Sequence, residues 1–215
     1  GKVVTYVAPV GTDNCSGVTT TRTAGLASGS TFPVGVNTVT YTATDGAGNT
    51  TSCSFTVTVV DNIPPVLACP SNITTNATAG TCGKVVTYTA PVGTDNCSGV
   101  TTARTAGLAS GSTFPVGVST VTYTATDGAG NTTSCSFTVT VVDNIPPVIA
   151  GCPANISVNA GATCTATATW AVPTVTDNCS GATITRTTGA APGSTFPLGV
   201  TNIVYTATDG AGNTA

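Results

Sequence analysis

From Val118 to Thr126, apolar Val121, Tyr123 and Ala125 alternate with Thr120, Thr122 and Thr124. From Cys135 to Val141, Cys135, Phe137, Val139 and Val141 alternate with Ser136, Thr138 and Thr140. A period of two puts one face of a strand on a core and the other in water. The two strands flank TDGAGNTTS, so the stretch TATDGAGNT (Thr124 to Thr132) sits where a hairpin must reverse. Glycine and asparagine tolerate positive φ and an aspartate side chain caps nearby amides, so a tight turn accounts for every residue in it. A metal-gripping loop is the rival reading, but calcium takes about six to eight oxygens, and one Asp and one Asn per loop fall short.

Further strands are predicted at Asn72 to Thr75, Val100 to Thr105 and Ser112 to Phe114, with a second strand entering at Cys82 and carrying Val86 and Tyr88. Tyr88 aligns with Trp170 in the more divergent third copy, which predicts an aromatic plug in mid-core. About seven short strands with turns every 8 to 12 residues read as an immunoglobulin-like sandwich.

The pattern recurs. Residues 1 to 60 match 83 to 142 with three differences (Val7/Thr89, Thr21/Ala103, Asn37/Ser119), and Asp13, Asp95 and Asp177 are spaced by 82. A unit of that length is too long for a solenoid repeat and right for a small domain. VVDNIPPV, at Val59 to Val66 and Val141 to Val148, marks the junctions. Its paired prolines end one domain's last strand and stiffen the entry to the next, which favours a rod. The reading is three domains: 1–60, lacking its N-terminal strand; 61–142, complete; and 143–215, lacking its last strand. The chain is then expected to be an excerpt of a longer array, with exchange of terminal strands between subunits as the rival.

Composition removes whole classes of function. The 215 residues include no His, no Glu, eight acidic and five basic residues, for a net charge of -3. General acid–base catalysis needs a group titrating near the working pH, and hydroxyl nucleophiles need such a base beside them; an enzyme is not expected. Five scattered cations cannot supply the clustered charge that binds nucleic acid. No apolar run approaches the roughly 18 residues of a membrane helix. Threonine and valine favour strands over helices, so the fold class is all-β: tandem immunoglobulin-like sandwiches of about 82 residues.

The string GSTFPVGVSTVTYTATDGAGNTTSCSFTVTV (Gly111 to Val141), preceded by PPVLACPSNI and APVGTDNC, resembles the hyalin repeat, or HYR, domain. The resemblance spans the middle copy and most of both others. It implies an immunoglobulin-like sandwich in extracellular, often adhesive proteins, including bacterial surface proteins, and carries over no catalytic residue.

The middle copy holds Cys69, Cys82, Cys97 and Cys135, which allow three connectivities. Cys82 to Cys97 spans one extended strand, too far for a bond. Pairing Cys69 with Cys82 and Cys97 with Cys135 leaves only Cys179 without a partner, and by register Cys15 joins Cys53 and Cys152 joins Cys164. Disulfides imply an oxidising compartment, hence an extracellular or cell-surface, secreted location. Zinc is set aside because the spacings are long and there is no His.

No cofactor is expected, with calcium at the junctions as the alternative, where Asp61 and Asn62, or Asp143 and Asn144, would meet loop residues of a neighbouring domain; the plainer reading is a turn opening before proline. Arg22, Arg104 and Arg186 recur in one strand and are expected to stack on the surface or pair with an Asp. Sequons make Asn49, Asn72, Asn76, Asn131 and Asn155 glycosylation candidates. The function expected is structural: the disulfide-stapled shaft of an extracellular filament or adhesin, built end to end or as one covalent array. A module binding carbohydrate or protein through its sandwich-end loops is the alternative. Near-identical loops in the first two copies favour spacing over recognition.

Overall fold

The computed structural model describes residues 1–215 and is all-β. No helix is long and apolar enough to cross a membrane. The chain forms two compact units. The first comprises Gly1–Val66, Thr94–Thr101 and Thr126–Thr132, and the second Leu67–Gly93, Thr102–Ala125 and Thr133–Ala215.

In the first unit Thr19–Ala24, Gly35–Thr44 and Thr50–Val59 form an antiparallel sheet, and Lys2–Val3 pairs with Thr31–Phe32. Phe32, Val39 and Tyr41 are buried between them, with Val4, Tyr6, Phe55, Val57 and Val59 packed alongside.

The complete repeat shows the sandwich. One sheet runs Ile73–Asn76, Thr132–Val142, Gly117–Thr126, Thr101–Ala106; the other pairs Gly83–Val86 with Ser112–Pro115. Val86 and Phe114 from the small sheet meet Val121, Tyr123, Phe137, Val139 and Val141 from the large one. The period-two reading holds residue by residue: Val121, Tyr123 and Ala125 are buried, as are Phe137, Val139 and Val141, while the threonines between them lie toward solvent. Those threonines and serines tie the outer face, with Thr122 to Ser136 at 2.9 Å and Thr124 to Ser134 at 2.7 Å between hydroxyls. Ile73–Asn76 joins Val139–Val142 in parallel, which closes the sheet edge with a segment from the repeat's start.

The complete repeat has six strands rather than seven. The segment from Val66 contributes only a bridge to Thr94. The second strand stops at Val86 because the Ser110 hydroxyl takes both backbone groups of Tyr88: the Tyr88 N–H donates to Ser110 Oγ at 2.8 Å, and Ser110 Oγ donates to the Tyr88 carbonyl at 2.7 Å. Tyr88 still plugs the core, its ring edge-on to Phe137 at 5.0 Å, and its hydroxyl donates to the Leu108 carbonyl at 2.7 Å. Burial first, then the hydrogen bond from Tyr123, push its pKa up to about 12. Trp170 does the same work in the third repeat, against Phe196 at 6.0 Å with its indole N–H donating to Tyr205 at 3.0 Å.

Arg22 and Arg104 are not paired to an Asp. Each guanidinium donates to a carbonyl three residues on, Gly25 and Gly107 respectively, and at Arg22 the strand register shifts just beyond, between Arg22 and Ala24.

Candidate functional site

The eight carboxylates occupy only three recurring places: the turn (Asp45, Asp127, Asp209), the DNC loop (Asp13, Asp95, Asp177) and the linker (Asp61, Asp143). Four of them, Asp61, Asp127, Asp143 and Asp209, are buried. In so uncharged a chain, buried carboxylates are where chemistry is to be sought.

The turn forms as its residue types demand. Asp127 Oδ1 accepts from the N–H groups of Ala129 (2.9 Å) and Asn131 (2.8 Å), Oδ2 accepts from the Asn131 amide (2.8 Å), and Gly130 takes φ +92°. The amide and backbone bonds hold the Asp127 carboxyl below the ordinary range, against the opposing effect of burial. At Asp209 burial is the largest influence and pushes upward, yet Asn213 and the backbone N–H groups outweigh it. The turn also does something its sequence did not announce. The Asn131 amide donates to the Asp61 carbonyl at 3.0 Å, and Asn213 donates to the Asp143 carbonyl at 3.2 Å. It is a latch on the linker as well as a reversal.

Two clusters result. In the first unit, Asp61, Asp95 and Cys97 bring one ligand atom each within 4.8 Å of one another. Asp61 Oδ1 accepts from Ile63 N–H at 3.3 Å and Asp95 Oδ2 from Cys97 N–H at 2.8 Å. The neighbouring Asp61 carboxylate, with burial behind it, pushes the Cys97 thiol up. In the second unit, Asp143, Asp177 and Cys179 repeat the arrangement. There the Asn178 amide nitrogen donates to Asp143 Oδ1 (3.3 Å) and to the Thr81 carbonyl (3.2 Å). Of the junction residues considered, Asn62 and Asn144 are exposed, whereas Asp61 and Asp143 meet the loop residues Asp95 and Asp177.

The cysteines pair differently from the expected scheme. Cys69 bonds Cys135, with Cα atoms 5.6 Å apart, and Cys82 bonds Cys179, 4.7 Å apart. Cys15, Cys53, Cys97, Cys152 and Cys164 are free thiols. The expected Cys69–Cys82 and Cys97–Cys135 bonds are therefore replaced, and those from Cys15 to Cys53 and from Cys152 to Cys164 are not formed. The parallel pairing of Ile73–Asn76 with the last strand carries Cys69 to Cys135, and both pack on the core. Cys82 and Cys179 belong to different repeats. Counting unpaired cysteines presumes that every bond closes inside one repeat, and the Cys82–Cys179 bond does not. In the 82-residue register, the counterparts that these two bonds assign to Cys15, Cys53 and Cys97 fall before Gly1, and those for Cys152 and Cys164 fall after Ala215.

Of the sequon asparagines, Asn49, Asn72, Asn76 and Asn155 are exposed. Asn131 is half-buried, and its amide nitrogen already gives two hydrogen bonds.

Comparison with known proteins agrees with this architecture. The HYR domain profile matches residues 1–59, 60–141 and 142–215. The chain is 37% identical over 217 residues to hyalin of Strongylocentrotus purpuratus, covering 99% of this chain and 18% of that protein. It is 40% identical over 223 residues to hyalin of Lytechinus variegatus, covering 100% of this chain and 41% of that protein. A serine-rich adhesin for platelets of Staphylococcus aureus (strain MRSA252) is 31% identical over 166 residues, covering 67% of this chain and 12% of that protein. The chain thus spans less than half the length of these relatives. Among solved structures, a protocadherin gammaB7 EC3-6 cis-dimer aligns with 92% of this chain and 65% of its own at 14% identity and a TM-score of 0.35. Three matched repeats that cover the whole chain settle its kinship: it belongs to the HYR domain family.

Proposed function

We propose that this chain is a load-bearing segment of an extracellular or cell-surface, adhesion-type repeat protein, the shaft of a secreted filament or adhesin, whose work is length and toughness. The observation that carries the reading is the Cys82–Cys179 bond, which ties one repeat covalently to the next. A stack of independent binding modules has no need of such a tie. The five free cysteines take the corresponding bonds when the array continues in register, either as one chain or by end-to-end assembly. The resemblance to an adhesin supports a place outside the cell, as do disulfides, which persist in oxidising surroundings.

No catalytic role is proposed. The chain contains no His or Glu, and its turn carboxylates are engaged by the N–H groups of their own turns. The exposed Asn49, Asn72, Asn76 and Asn155 are proposed glycan sites, which would solubilise a surface of few charges. At Asn131 a sugar would have to break the latch.

Electron microscopy of the native material tests the reading. Regular filaments with an axial period of one repeat, roughly 35–45 Å for strands of about eight residues plus loops, support it. Isolated particles that bind carbohydrate or protein through the loops overturn it.

A further inference from the structure

Only three buried side-chain oxygens or nitrogens in the chain lack a hydrogen-bond partner: Asp143 Oδ2, Asp177 Oδ1 and Asn178 Oδ1. All three are oxygens, and all belong to one cluster. The Asn178 amide touches Asp143, and carboxylate oxygens of Asp143 and Asp177 lie within 4.8 Å of each other. Asp143 is 6% exposed. A buried, unpartnered carboxylate oxygen is costly, and two carboxylates side by side add repulsion.

We propose that Asp143, Asp177 and Asn178 bind a calcium ion. Two oxygens held by one calcium at roughly 2.3–2.6 Å stand at most about 4.6–5.2 Å apart, so carboxylate oxygens within 4.8 Å of each other are close enough to share one ion. The two carboxylates match its charge. The donors point to a hard cation: Cys179 is bonded to Cys82 and offers no thiolate, which leaves oxygen ligands only. Magnesium demands a tighter octahedron at about 2.0–2.1 Å and sheds water reluctantly; a site made by two separate loop segments suits the larger ion. Waters complete the coordination. The Asn213 latch on the Asp143 carbonyl holds the linker where its carboxylate meets the loop, so the turn is a positioning element for the ion and not its ligand. The proposal stands independently of the filament reading.

The test is calorimetric titration of the oxidised 215-residue chain, stripped with chelator, with CaCl2 and separately with MgCl2. At least one calcium per chain is expected, with magnesium at least tenfold weaker. Asp177→Asn and Asp143→Asn keep the shape and remove one charge each; both are expected to weaken calcium binding at least tenfold. Asp13→Asn alters the exposed counterpart in the first repeat and is expected to leave binding unchanged. Calcium is also expected to slow proteolysis of the linker Asp143 to Val148, an effect that Asp177→Asn abolishes. No calcium binding at millimolar concentration, or binding untouched by both Asn variants, overturns the site.

Discussion

The latch offers an internal control, because the turn occurs in identical sequence with and without a linker beneath it. Asn49 and Asn131 each donate their side-chain amide to the turn Asp, at 2.8 Å in both cases. Asn131 alone adds a bond to the Asp61 carbonyl at 3.0 Å, and the Asp61 residue is 8% exposed. Replacing either asparagine by alanine removes the shared bond, so that cost cancels in the comparison. What remains for Asn131→Ala is a buried carbonyl left without its donor, worth about 1–3 kcal/mol. Taking about 1.4 kcal/mol as one factor of ten in an equilibrium, the linker opens roughly five- to a hundredfold more often.

Hydrogen exchange reads this directly, since Val66 N–H donates to the Thr94 carbonyl at 2.7 Å, just beyond the latch. The peptide PPVLACP that carries Val66 is unique in the chain. Asn131→Ala is expected to speed its exchange by about fivefold or more, and Asn49→Ala to leave it unchanged. Equal behaviour of the two variants would refute the latch.

Three further outcomes follow from the same contacts. Phe114 is fully buried among Val86, Val121 and Phe137, so Phe114→Ala is expected to cost about 3–5 kcal/mol, whereas Val118→Ala, at a side chain 68% exposed, is expected to stay within about 0.5 kcal/mol; proteolysis in urea distinguishes them, and similar losses contradict the assigned core. The Asn49 amide and backbone bonds hold the Asp45 carboxyl below its ordinary value, so the turn's contribution is complete above about pH 4, the unfolded value, and is lost as pH falls through the lower folded one; an NMR titration of the Asn49 amide with its midpoint at or above that value contradicts the turn geometry. Mass mapping of non-reduced peptides is expected to recover Cys69 joined to Cys135 and Cys82 to Cys179, and recovery of Cys69 with Cys82 would restore the within-repeat scheme.

Features whose cause lies within a few residues were legible in the sequence. The alternation at Phe137, Val139 and Val141 places them in the core, and Asp-Gly-Ala-Gly-Asn encodes its own turn. Features whose cause lies far along the chain were not. The second use of Asn131 depends on a carbonyl 70 residues away. The strand at Gly83–Val86 ends early because a hydroxyl at Ser110, 22 residues on, competes for the Tyr88 backbone. The partner of Cys82 is 97 residues distant and in another repeat. The orphaned oxygens of Asp143 and Asp177 could not be read from DNIPP and TDNC separately, since neither segment shows that the fold will bring them together.

Pulling the oxidised chain by its ends and repeating the pull after reduction tests the load-bearing staple most directly. In the oxidised chain the covalent path from Cys69 to Cys179 runs to Cys82 and then across the bond, so 97 residues bear no extension. Reduction is expected to lengthen the unfolded chain by about 320–350 Å, at roughly 3.3–3.6 Å per residue. The pull is made on a chain carrying Cys15→Ser, Cys53→Ser, Cys152→Ser and Cys164→Ser, four positions that are free thiols beside the two bonds, so the expected increment is unchanged. An increment near 170–180 Å at the same length per residue, as bonds from Cys69 to Cys82 and from Cys97 to Cys135 then give, or no increment at all, would contradict a covalent tie between repeats.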